Sequence, residues 1–265
     1  MEYHHLPPPP DLRLFIKGDL KVASLYSIAG ISSSFFVSSP EGTIIVDAGD
    51  GALRDMIELA RLASVLEDGQ GTPVNIRKAD DLLGVLITHG HYDHCSGLLS
   101  LLSFQHLMGR TLPFIIAGPS GATLLWSLID LFERTLWERC PYEIVRYELN
   151  GEADMDMGPF CVRHVENKHR ESRPGAVGGP VHSMSYLVMH KDISVFFSGD
   201  CSDISTLAPF AKGASLAVVE ATFPEAHPDQ DGVHLTIEQA MALGSLAGEH
   251  WLVHLTAMSA KELSR

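Results

Sequence analysis

Basic side chains are scarce in this 265-residue chain: 19 lysines and arginines stand against 33 acidic residues, a formal net charge of −14. Such a surface repels polyanions, because binders of long nucleic acid carry a basic face and draw affinity from it. A grip on long RNA or DNA is therefore not expected. A small anionic substrate is still admissible, since a bound cation reverses the local field. Cysteine is scarce too: Cys95, Cys140, Cys161 and Cys201 form no CxxC pair and no close spacing. That predicts reduced thiols, with no disulfide framework and no cysteine-held metal. No apolar run reaches the roughly twenty residues that a membrane-spanning helix needs. Met1 to Asp11 carry histidines and Pro7–Pro10 where a signal peptide has a basic start and an apolar core. The expectation is a cytoplasmic protein without a membrane partner. Repeats and linkers are also missing, so residues 1–265 read as one domain, with 1–12 a stiff, extended lead-in.

What the chain does have is enough apolar residue, 45 %, for a sizeable core, arranged as alternating strand-like and helix-like segments. Ser34–Val37 and Thr43–Val46 flank Pro40-Glu41-Gly42 as a predicted hairpin. Residues 52–65 have helical spacing, and 67–78 are polar enough for a surface loop. A strand over Leu82–Thr88, a helix through Leu98, Leu99, Leu101 and Leu102, a strand over Leu112–Ala117 and a helix over Ser120–Glu138 follow. Tyr142–Leu149 and Phe160–Val165 read as strands, and Tyr186–His190 with Ile193–Ser198 as a hairpin. Leu216–Ala221 reads as a buried strand, Thr236–Gly248 as a helix, and Trp251–Val253 as a last strand.

Metal-capable residues recur where these strands end. Thr43–Val46 runs into Asp47, Val85–Thr88 into His89, Phe160–Val165 toward His169, Val195–Gly199 into Asp200, and Trp251–Val253 into His254. In layered α/β proteins, the loops beyond strand ends are where ligands collect. The sharpest segment is His89-Gly90-His91-Tyr92-Asp93-His94. Histidines two apart at a strand end can turn toward one centre, while Asp93 and His94 face a second as the chain enters the next helix. Imidazoles mixed with carboxylate suit zinc, and also manganese or iron, better than calcium or magnesium. Taken singly, Asp200 reads as a turn residue, His254 as a half-buried histidine and Asp47 as an acceptor for loop amides.

Their order gives them more weight. His89, His91, Asp93 and His94, with Asp47, Asp200 and His254, resemble the metallo-β-lactamase superfamily over roughly residues 30–256. Ser96–Leu102, Gly109-Arg110-Thr111-Leu112-Pro113, Ala117-Gly118-Pro119, Val219–Phe223 and His234-Leu235-Thr236 are similar to segments of its ribonuclease Z branch. The resemblance implies a four-layer αββα sandwich with a metal site along one edge. It implies one metal on His89, His91 and His169, another on Asp93, His94 and His254, and Asp200 bridging the two. Asp47 would orient a ligand from behind. The third histidine has two candidates: His169, whose distance from the preceding strand matches the family pattern, and His182, just ahead of Ser185-Tyr186. A homodimer through the apolar helix after His94 is implied as well. One departure is plain. Ribonuclease Z commonly inserts a long arm that grips transfer RNA, and residues 170–199 leave no room for it.

The function so implied is hydrolysis of a small or short phosphodiester on two divalent metals, zinc foremost. Asp93, His234 and Glu220 are the candidate catalytic residues. His234 would protonate the leaving group, and Glu220 would keep it charged. Thr236-Ile237-Glu238-Gln239 reads as a capping box opening the helix just beyond. The alternatives are a lactone, thioester or other carbonyl substrate on the same site, an iron-dependent redox enzyme, and a non-catalytic binding protein. Trp126 and Trp137 are assigned to packing, and His106, His190, His227 and His250 to surface or capping positions. Gly175–Pro180 is assigned to a mobile loop over the mouth of the site.

Overall fold

The computed structural model describes residues 12–62, 74–136, 140–173, 176–225 and 232–256. The proline-rich lead-in, Trp137, Gly175 and His227 lie outside the described residues. The N-terminal half opens with β1 (Arg13–Lys17), β2 (Leu20–Ser24) and a short hairpin of β3 (Ser27–Ile28) and β4 (Ser32–Ser33). It continues through β5 (Phe35–Ser39), β6 (Gly42–Val46), α1 (Ala52–Leu62), β7 (Leu82–Leu86), α2 (Tyr92–Cys95) and α3 (Leu98–Leu107), then β8 (Phe114–Pro119), α4 (Thr123–Leu136) and β9 (Ile144–Leu149). The C-terminal half comprises β10 (Ala153–Met157), β11 (Phe160–Arg173), β12 (Ala176–His190), β13 (Ile193–Phe197), α5 (Ala208–Ala211), β14 (Leu216–Glu220), α6 (Ile237–Gly244) and β15 (Glu249–Val253).

Each half forms one sheet, in the order β1-β2-β5-β6-β7-β8-β9 and β10-β11-β12-β13-β14-β15. The layering follows from strands that are apolar on both faces. In β5 and β6, Phe35, Val37, Ile44 and Val46 point into a core shared with Tyr186, Val188, Val195 and Phe197 of the other sheet. Their alternates, Phe36 and Ile45, point outward and pack under α1, α3 and α4. In the second sheet the outward residues Phe196, Ala217 and Val219 lie under α5 and α6. Period-two alternation with both sets apolar requires cover on both sides. The result is the αββα sandwich.

Parallel pairing joins β6 to β7, β8 and β9, and β13 to β14 and β15. The carboxyl ends of these strands deliver Asp47, Thr88, Asp200, Glu220 and His254. Cross-sheet bonds hold the two halves together there: the Tyr186 hydroxyl donates to the Ile87 carbonyl (2.6 Å) and the Met184 amide to that of Thr88 (2.8 Å). At the other end of these strands, Arg110 is almost wholly buried. Its guanidinium donates to the carbonyls of Ala79, Leu82, Leu112 and Pro113, tying the start of β7 to the segment between α3 and β8. That is the structural content of the Gly109–Pro113 motif.

Residues 176–180 are the first part of β12 rather than a loop. Arg170 pairs with Pro180 and Ser172 with Val177 across a register shift, and the Gly178 carbonyl accepts from the Arg170 side chain. Within β12, β13 pairs only with Tyr186–His190, so among the described residues this part of β12 has no strand on its other side, and a sheet edge tolerates both proline and glycine. The helix after Pro119 starts at Thr123, and the last helix ends at Gly244. His190 is buried at 3 % exposure rather than a surface histidine, with Nδ1 donating to the Pro159 carbonyl. No described helix is long and apolar enough to cross a membrane.

Candidate metal centre

The loop after β6 and the turn after β7 are pressed together by backbone contacts. The Ala48 amide donates to the His94 carbonyl (2.7 Å), and the Gly97 amide to the Ala48 carbonyl (2.9 Å). Glycine is required on both sides. A Cβ on Gly49 would lie 2.2 Å from the Asp93 carbonyl oxygen, and one on Gly97 2.1 Å from that of Gly49. This approach brings Asp47 under the histidine turn. Asp47 and His254 both adopt left-handed backbone, with φ of 59° and 55°, a conformation that residues with a Cβ adopt only when surrounding structure enforces it.

Two donor groups meet at Asp200. His89, His91, His169 and Asp200 form one, and Asp93, His94 and His254 the other, each with ligand-type atoms within 4.8 Å of one another. Asp200 Oδ2 is 3.6 Å from His89 Nε2, and Oδ1 is 3.5 Å from His94 Nε2. Asp200, His234 and His254 form a third such group that overlaps both. His182 joins none of them. It pairs with Lys168 across the β11–β12 hairpin, one residue out of phase with His169, and so lies on the opposite face with its ring against Gly121. His164 is buried within β11, away from these groups.

The hydrogen bonds behind the imidazoles decide which nitrogen faces inward. His94 Nδ1 donates to Asp47 Oδ2 (2.8 Å). The Thr88 hydroxyl donates to Asp47 and accepts from His89 Nδ1 (3.1 Å). His169 Nδ1 donates to the Val233 carbonyl (2.9 Å). The Thr222 hydroxyl donates to Glu220 Oε2 (2.8 Å) and accepts from His254 Nδ1 (2.9 Å). Four histidines thus hold Nε2 toward the centre. His91 differs: its Nδ1 is the atom 2.8 Å from His89 Nε2 and 3.4 Å from His169 Nε2. With the His89 Nδ1 proton given to Thr88, His89 Nε2 and His91 Nδ1 face one another at 2.8 Å as two lone pairs. That arrangement is unfavourable until a cation lies among them. Imidazole and carboxylate donors in this mixture suit a borderline-soft divalent ion, so the residues fit the metal.

Electrostatics agree with that fit. Burial pushes the His89 imidazole well below its usual range and lowers His169 to about 4, leaving both neutral. Burial also opposes charge on His94, but Asp200 and Asp47 outweigh it and hold His94 protonated when no cation is bound. Burial resists ionisation of Asp200, yet the surrounding histidines keep it charged. His234 follows the same pattern: burial opposes its charge, and Glu220 and Asp200 raise it to about 9. His234 Nδ1 donates to Glu220 Oε1 at 3.0 Å. Glu220 also accepts from the amides of Cys201, Thr222 and Leu235, so one buried carboxylate fixes the segments after β13 and β14 and the entry to α6.

Above these groups opens a cleft of about 530 Å³, lined in part by Tyr92, Asp93, His169, Asp200, Phe223 and His234. The Gly30 amide of the β3–β4 hairpin reaches into it and donates to Asp93 Oδ2 (2.7 Å). The structure therefore brings together Asp47, His89, His91, Asp93, His94, His169, Asp200, Glu220, His234 and His254. Sequence reasoning missed Thr88, Thr222 and the Val233 carbonyl. Thr88 could have been suspected as the residue immediately before His89. Nothing in the sequence marked the Val233 carbonyl.

The beta-lactamase superfamily domain matches residues 43–254 of this chain. Ribonuclease Z of Thermoplasma acidophilum is 30 % identical over 142 residues, 52 % of this chain, and the match spans less than half, 42 %, of that relative. Among solved structures, the short form of human tRNase Z superposes with a TM-score of 0.65 at 20 % identity, covering 88 % of this chain and 92 % of that one. The metallo-beta-lactamase fold protein YhfI from Bacillus subtilis gives a TM-score of 0.65 at 19 % identity, covering 89 % and 86 %. At these identities the structures share the fold.

Proposed function

We propose, from the premise that this chain belongs to the beta-lactamase superfamily, that it is a metal-dependent phosphodiesterase acting on a small or short phosphodiester. The observation that carries this reading is the meeting of two histidine–carboxylate groups at Asp200, with a Glu220-held His234 beside them. His89, His91 and His169 would hold one divalent ion and Asp93, His94 and His254 a second, with Asp200 between them. Zinc is the ion that this donor set suits best, with manganese or iron next. When bound, the ions supply Lewis acidity, which acidifies water and draws charge from the attacked phosphoryl group.

The protein's own residues supply the rest. Asp47, Thr88, Thr222 and the Val233 carbonyl keep the imidazoles aimed inward. With Nδ1 committed to Glu220, His234 has its Nε2 proton to give, and its pKa of about 9 keeps it charged at neutral pH for protonating a leaving oxygen. Asp93 accepts from the Gly30 amide; burial resists its ionisation, and the His254 and His94 rings beside it outweigh that and hold it ionised. The ribonuclease Z likeness of the relative above supports phosphoryl chemistry. The −14 charge supports a substrate shorter than transfer RNA. A homodimer belongs to the same proposal, supported by the exposed Leu107 at the end of α3 and Met108 and Leu112 just beyond it.

The test is hydrolysis of bis(p-nitrophenyl) phosphate beside a lactone and a thioester. Diester cleavage should dominate, and His234→Ala should lower turnover by about 10²-fold or more while metal content is retained. Carbonyl cleavage alone would transfer the site to the acyl class. Metal loss in His234→Ala would make His234 a ligand.

A further inference from the structure

His91 is the odd member of the inward-facing histidines. The others give Nδ1 to a partner inside the fold, whereas His91 turns Nδ1 inward and leaves Nε2 outermost. That Nε2 is enclosed yet makes no hydrogen bond of good geometry. Glu171 Oε1 lies 3.2 Å from it. Glu171 follows His169 by two residues on β11, at the register shift between Arg170 and Ser172. Its side chain is 46 % exposed and lines the same cleft.

The geometry points to Glu171 as the positioning residue for His91: its carboxylate would accept a hydrogen bond from the Nε2–H of a His91 whose Nδ1 holds a cation. This rests on the cation site proposed above and deepens it. A ligand imidazole whose outer nitrogen finds an acceptor is fixed in tautomer and orientation and is a better donor. Deep residues do this for the other four histidines. For His91 the task falls to a half-exposed carboxylate near the end of a hairpin, 3.2 Å away. The His89–His91–His169 site therefore has one ligand held from the surface of the cleft, and its grip on the cation depends on a residue that substrate can also touch.

The experiment measures cation binding rather than turnover. Metal-stripped wild type, Glu171→Ala, Glu171→Gln, Glu171→Lys and Glu166→Ala are titrated with Zn²⁺ against a chromophoric chelator, and with Co²⁺ followed by its visible absorption. Glu171→Ala and Glu171→Lys are expected to weaken one of the two sites by about tenfold or more and to alter its Co²⁺ spectrum. Glu171→Gln should regain most of the affinity, because its amide oxygen accepts the same bond. Glu166, exposed on the face of β11 opposite to His169, removes equal charge without reaching His91, so Glu166→Ala should match wild type. Wild-type affinity in Glu171→Ala, a Gln variant no better than Ala, or an equal loss in Glu166→Ala would each overturn the assignment while leaving the cation site intact. A wild type that takes up no cation would overturn the cation reading and this inference with it. Melting of the stripped proteins checks folding, which a half-exposed side chain should affect little.

Discussion

Thr88 and Thr222 perform one task on opposite sides of the centre. Each hydroxyl donates to a buried carboxylate, Asp47 or Glu220, and accepts from an imidazole, His89 or His254. Sequence reasoning found the imidazoles and the carboxylates because their types and spacing are distinctive. It missed the threonines because a strand-end threonine is common and its partners are remote in sequence. Thr222→Val keeps the shape and removes the link. It should weaken the cation held by Asp93, His94 and His254 by about tenfold and cost about 1–3 kcal/mol of folding stability, measured by chelator competition and by urea unfolding. His164 bears on pH. Burial lowers its pKa, so the folded protein resists a proton that the unfolded chain accepts. The contribution to stability is present above the unfolded value near 6.5 and is lost as pH falls below it. Unfolding at pH 5 and pH 7 should therefore show a smaller acid loss in His164→Gln than in wild type; an equal loss would assign it to other groups.

Among the elements, those with regular apolar spacing were legible and the long hairpin was not. β6, β7, β13 and β14 fall where alternation puts them, α6 starts where expected but ends at Gly244, and the capping box forms as read, the Gln239 amide donating to the Thr236 hydroxyl oxygen. The far end of β11–β12 was obscured by Gly175, Gly178, Gly179 and Pro180, which signal a loop unless a sheet edge is available. That hairpin separates His169 from His182 by pleat parity, which residue counting could not do. The join between the β6 loop and the α2–α3 turn depends on glycine on both sides. Gly97→Ala should force the two apart, costing about 1–3 kcal/mol and lowering the melting temperature by several degrees. Because Asp47 rides on that loop, affinity for the second cation should fall as well. A variant with wild-type stability and affinity would show that the loop moves freely.

At the scale of the molecule, two sheets apolar on both faces require helices outside and a shared core between. That layering is implied by the family resemblance, and the strands apolar on both faces, β7, β8 and β14 among them, agree with it. The edge on which the site lies follows from sequence, because parallel strands direct their carboxyl ends the same way and the chemistry-bearing residues sit at those ends. Which donors join which group is implied by the family resemblance, and the structure brings the same residues together; composition and spacing alone do not give it, because the grouping depends on cross-sheet bonds from Tyr186 and Met184 and on Asp200 lying within reach of both. The most direct test is the metal content per chain, by plasma mass spectrometry, of wild type and Asp200→Ala after dialysis against limiting chelator. Two equivalents in wild type, with one or both lost from Asp200→Ala, is the expected result. One equivalent or none in wild type, or two retained without Asp200, would contradict a paired site built around that carboxylate.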